Sequence, residues 1–83
     1  MPSDIAIMTV GKRANVQDNL DLLVDRHIPA ERRRDWVAYY PMRVDEIGDG
    51  KRLVTVCGIT ADPDVVARLQ NEYKSVSKIH KAR

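Results

Sequence analysis

The stretch Gly48-Asp49-Gly50 lies between two runs, Met42 to Ile47 and Lys51 to Ile59, and limits the possible folds more than any other part of the chain. Glycines flanking an aspartate tolerate positive φ and allow a tight reversal, so the two runs are predicted to pair as a β-hairpin. Within it, Leu53-Val54-Thr55-Val56-Cys57 is apolar enough to be a central, well-buried strand.

A further strand is expected at Ile5-Ala6-Ile7-Met8-Thr9-Val10. This run is apolar throughout and is bounded by Pro2-Ser3-Asp4 and Gly11, which suits a strand covered on both faces. Val16, Leu20, Leu23, Val24 and His27 then follow the helical period. Asn15 is a capping residue, and Asp18 places negative charge near the positive helix end. Ile28-Pro29 should stop this helix. The segment 29–40 reads two ways: Pro29 and Glu31 favour a short second helix, whereas Trp36-Val37-Ala38-Tyr39-Tyr40 is good strand material. Pro41 would remove a ladder hydrogen bond from a strand running straight through it. Asp62-Pro63-Asp64 marks another helix start, and Val66, Leu69, Tyr73, Val76 and His80 predict that this helix continues to the end of the chain.

The resulting order predicts an α+β fold, a small two-layer βα(α)ββα sandwich whose antiparallel or mixed sheet carries its helices on one face. A competing arrangement is similar to a winged helix-turn-helix module, with 29–40 as a basic helix followed by the hairpin. That resemblance is one of element order, with no motif behind it.

With 83 residues there is room for one domain, 1–83, and burial of only about 60–65% of the unfolded surface makes cover from a partner chain or oligomerisation an expectation. Hydrophobic residues at 43% and charged residues at 31% describe a folded chain rather than a disordered one. The lone Cys57 allows neither an internal disulfide nor a cysteine zinc cluster and reads as a buried hydrophobe. No apolar run is long enough for a membrane span, and MPSDIAIMTV does not resemble a signal peptide, so a cytoplasmic location is expected.

Four groups of residues are candidates for binding. Gly11-Lys12-Arg13 precedes a helix N-terminus, where an anion is favoured, although the glycine-rich phosphate motifs are absent. Arg32, Arg33 and Arg34 precede Trp36, Tyr39 and Tyr40, the mixture of guanidinium and aromatic groups that suits nucleic acid or a protein hot spot. Their structural alternative is a solvated face, with the aromatics filling a core that has no phenylalanine. Lys51 and Arg52, near Arg43, make a basic hairpin tip offset by Asp45, Glu46 and Asp49. Last, KSVSKIHKAR holds four basic residues and no acid. As a helix it would align Lys74, Lys78 and Lys81 on one face, a strip that the helix dipole alone would also favour. Without these ten residues the chain has ten basic side chains against twelve acidic, a net charge of −2 that a polyanion would repel.

His27 and His80 fall on apolar helix stripes, and the acids have ordinary roles in turns and caps, so no catalytic constellation, metal site or cofactor is expected. These features favour a small non-catalytic binding protein acting through a protein partner or as a homodimer, an inhibitor or regulator of viral or mobile-element type. The alternative is a DNA- or RNA-binding regulatory module using Arg32–Arg34, Lys51/Arg52 and the C-terminal lysines. A small-ligand site at Gly11–Arg13 is a third reading.

Overall fold

The computed structural model describes residues 3–59, 63–73 and 78–82. In chain order it contains β1 (Ser3–Gly11), α1 (Val16–His27), the single turn α2 (Ala30–Arg33), β2 (Ala38–Gly48), β3 (Lys51–Ile59), α3 (Pro63–Tyr73) and β4 (His80–Lys81). The strands form one four-stranded sheet in the order β1-β3-β2-β4, and each neighbouring pair is antiparallel. The fold is α+β, as the hairpin and the two long amphipathic segments predict.

The hairpin forms where its glycines place it. Gly48, Asp49 and Gly50 all take positive φ, at 93°, 55° and 70°, and turn β2 into β3. β3 is the central strand and its alternate side chains divide the core. Val54 and Val56 face α1 together with Ala6, Met8 and Val10 of β1, and Val16, Leu20, Leu23 and Val24 of α1 close over them. Cys57 and Ile59 point the other way, where Ala38, Tyr40 and Val66 join them beneath α3. Successive strand residues face opposite sides of a sheet, so the two helices cover opposite faces instead of sharing one layer. The reason is β3 itself: it is apolar on both sides, and a helix on one side would leave Cys57 and Ile59 in water.

Other local expectations are met or adjusted. Asn15 caps α1 by accepting from the Asp18 backbone N–H at 3.1 Å, while its own amide donates to Asp18 Oδ2 at 3.0 Å. Ile28, extended at φ −116° and ψ 122°, ends the helix before Pro29. The ambiguous segment resolves into both of its readings: α2 is one turn, and Trp36 leads into β2. Pro41 lies within β2 opposite Val56, next to a register shift between Pro41 and Arg43. A four-residue α2 is too short for a recognition helix, and the hairpin is the centre of the sheet rather than a wing, so the winged arrangement does not describe this chain.

The C-terminal prediction needs correction. Helix α3 is described to Tyr73, whereas His80 and Lys81 are strand, paired with Tyr39 and Ala38. His80 finds a stacking partner in the Tyr39 ring, 6.0 Å away at an interplanar angle of 2°, which a continued helix would not have supplied. Asp62 and the residues 74–77 lie outside the described residues.

Candidate functional site

The arginine run is spent largely on holding the fold. Arg32 grips Asp4 with two nitrogens, Nε to Oδ2 at 2.8 Å and Nη2 to Oδ1 at 3.3 Å, and Nη2 also donates to the Ile5 carbonyl. Its guanidinium holds the Asp4 carboxyl below the usual carboxylate range. Arg33 reaches back to the end of α1 and donates from Nη1 to the Val24 and Ile28 carbonyls at 3.1 and 2.9 Å, satisfying acceptors that a helix end leaves open. Arg34 is the outward-facing member, with a side chain 76 % exposed and Asp35 at 3.8 Å.

The aromatics are core. Trp36 is buried on Gly58, where an added Cβ would lie 1.9 Å from the indole carbons Cδ2 and Cε2. Tyr39 is buried on the α1 face and donates its hydroxyl to Asp21 Oδ1, the same oxygen that lies 3.5 Å from His80 Nδ1. Tyr40 packs on the other face against Tyr73, with ring centroids 4.7 Å apart; burial and Tyr73 push its hydroxyl to a higher pKa. Arg33, Arg34, Trp36, Tyr39 and Asp25 do meet along one groove of about 310 Å³, though Trp36 and Tyr39 are themselves buried.

Two candidate groups separated in sequence come together. Gly11 pairs with Lys51 and Val10 with Arg52, and the Lys12 side chain lies beside Gly50, so the strand-to-helix turn and the hairpin tip form one basic corner. Lys12, Arg13 and Lys51 are exposed there. Arg52 is committed to the fold, donating to the Gly11 carbonyl at 2.8 Å and to that of Ala14. Glu46 shares a depression of about 90 Å³ with Lys12, Lys51 and Arg52 and reduces their charge.

The lysine strip is not assembled as expected. Lys78 is exposed outside any helix and its backbone N–H donates to Gln17 Oε1, Lys81 is exposed on β4, and Lys74 lies outside the described residues. His27 is exposed, with Nδ1 2.9 Å from the Leu23 carbonyl, instead of packing on the apolar stripe. His80 is enclosed, its side chain 9 % exposed, and it ties β4 to α1 and β2. Cys57 is buried and free, as its setting in the sequence predicts. Among the described residues no group of three histidine, cysteine or acidic side chains is placed to hold a metal, and no helix is long and apolar enough to cross a membrane.

The feature that sequence reasoning missed is β1. It is an edge strand covered on one face only: Ala6, Met8 and Val10 are buried, while Ile5 and Ile7 are 48 % and 64 % exposed. These isoleucines lie on the face that α3 covers only farther across the sheet. The opposite edge of the sheet is different in kind. Beyond Tyr39, where β4 stops, β2 carries Pro41, two register shifts and the charges of Arg43, Asp45 and Glu46, the devices that keep an edge from pairing. β1 has no proline, bulge or charge from Ile5 to Gly11. Uniform hydrophobicity of this run concealed which residues faced out, since alternation is the signal that distinguishes a half-covered strand.

No family model matches the chain, and no curated protein or solved structure is significantly similar to it.

Proposed function

We propose that this chain is a non-catalytic protein-binding module that docks its partner at β1 and the uncovered part of the sheet beside it. The observation that carries the reading is the contrast between the two edges: one is blunted by proline, bulges and charge, and the other is a nine-residue strand presenting Ile5 and Ile7. An added strand gains main-chain hydrogen bonds from such an edge and specificity from alternate side chains. Acting as an inhibitor or regulator then means occluding a partner's surface. The internal duties of Arg32, Arg33, Trp36 and Tyr39 support the choice, because those groups contribute to the fold rather than to a nucleic-acid surface.

The test is affinity capture with in-cell cross-linking, comparing the wild-type chain with Ile7→Glu. The reading predicts a captured protein cross-linked near β1 and lost in the variant. Capture unchanged by Ile7→Glu would overturn it.

A second reading rests on the basic corner. Joining Lys12 and Arg13 to Lys51 gives a polyanion one compact place to bind despite the near-neutral remainder of the chain. It predicts oligonucleotide binding that falls log-linearly with salt and is abolished by Lys12→Glu/Lys51→Glu; no binding at low salt removes it.

A further inference from the structure

We infer that the partner at β1 is a second copy of this chain, joined edge to edge about a two-fold axis at Met8 to make one continuous antiparallel sheet; this rests on the protein-binding reading of β1.

The free part of the edge is short and its limits are set by named side chains. Even-numbered residues of β1 direct their N–H and C=O groups to β3, and odd-numbered ones direct theirs outward. At Ile5 the outward groups are occupied: its N–H donates to Asp4 Oδ1 at 2.9 Å and its carbonyl accepts from Arg32. At Gly11 the carbonyl accepts from Arg52 and from the Ala14 N–H. Between these stops lie the outward groups of Ile7 and Thr9, which have no partner among the described residues. Their midpoint is Met8.

An antiparallel copy centred there places Ile7 opposite Thr9 of the second copy and Thr9 opposite its Ile7. These pairs exchange about four main-chain hydrogen bonds, using the outward groups of Ile7 and Thr9 and none already engaged. The same register sets Ile5 opposite Gly11, where the second copy's chain turns away toward α1 and leaves room for Arg32. Past the end of β1, the exposed Lys12 of each copy lies toward the Asp4–Arg32 ion pair of the other. A strand from an unrelated protein would have no reason to fit both stops; the chain's own β1 fits them by symmetry, since an isologous contact must be self-complementary. The exposed Ile7 side chains of the two copies become diagonal neighbours across the seam, one face of which is then a continuous apolar strip with both Ile5 residues.

Sedimentation equilibrium across the micromolar range tests this. The wild-type chain is expected to be a dimer, and Thr9→Pro, which removes an outward N–H without touching the β1–β3 ladder, should weaken it on the order of tenfold or more. Ile7→Lys alters an exposed side chain and serves as the variant that keeps the backbone unchanged. Mixing Ile7→Cys with Thr9→Cys chains should give a disulfide-linked heterodimer in higher yield than either alone, which fixes the register. A dimer indifferent to Thr9→Pro and Ile7→Lys would overturn the inference. A monomer whose captured protein is still lost in Ile7→Glu would overturn self-pairing and leave the protein-binding reading standing; a monomer that captures nothing would overturn both.

Discussion

Arg32 and Asp4 show how one side-chain pair serves two ends. The pair fixes α2 against the start of β1, and by occupying the Ile5 main chain it also marks where the open edge begins. The Asp4 pKa is lowered chiefly by its hydrogen bond to Arg32. A depressed carboxylate pKa stabilises the fold above the unfolded value of 3.8, and this contribution is lost as pH falls through the lower folded value. NMR titration of the Asp4 carboxyl should find a midpoint below 3.8, moving up in Arg32→Ala; an unshifted wild-type midpoint would show that the pair does not form. Gly58 is the other decisive single residue. A methyl group there meets the buried Trp36 indole carbons at 1.9 Å, so Gly58→Ala should cost about 3 kcal/mol in urea unfolding, at the upper end for overpacking. Ala38→Gly, equally buried and without that collision, should cost less.

At the scale of elements, α1 is fixed at both ends by groups the chain brings to it. Asn15 closes the N-terminus, and its replacement by alanine should cost about 1 kcal/mol. Arg33 closes the C-terminus from a different element, so Arg33→Ala should cost about 1–2 kcal/mol while Arg34→Ala changes stability by less than about 0.5. Equal effects in denaturant titrations would contradict the assignment. The first of these ends was legible in the sequence, because an asparagine cap acts within one turn. The second was not, since nothing in an RRR run says which arginine reaches back to Val24. The same division runs through the rest of the chain. The hairpin, α1 and β3 were readable from turn chemistry and periodicity. The C-terminus was misread because Val76 and His80 fall on the helical period by position, whereas the stacking of His80 on Tyr39 is a tertiary contact that propensity does not encode. The site was hidden for a third reason: in an apolar run, Ile7 facing water and Met8 facing α1 look alike.

Across the whole molecule, the helices on both faces and the two unlike edges decide what the surface can do. α1 and α3 leave little of β3 uncovered, and β2 is blunted along its outer edge, so among the described strands β1 offers the more open edge for extending the sheet. The basic corner lies at the far end of that same strand, beyond the residues that pair across the seam. A seam of main-chain hydrogen bonds and isoleucines predicts that salt weakens the dimer only modestly, whereas polyanion binding at the corner would be strongly salt-dependent. The most direct measurement is residue-resolved amide hydrogen exchange along β1 at low and at high protein concentration. In the dilute chain Ala6, Met8 and Val10 should be protected by β3 while Ile7 and Thr9 exchange rapidly, and raising the concentration should slow those two alone. Protection of Ile7 and Thr9 equal to that of Met8 at the lowest concentration would mean that the edge is not open, and exchange there that stays fast at every concentration would contradict its pairing with a second copy.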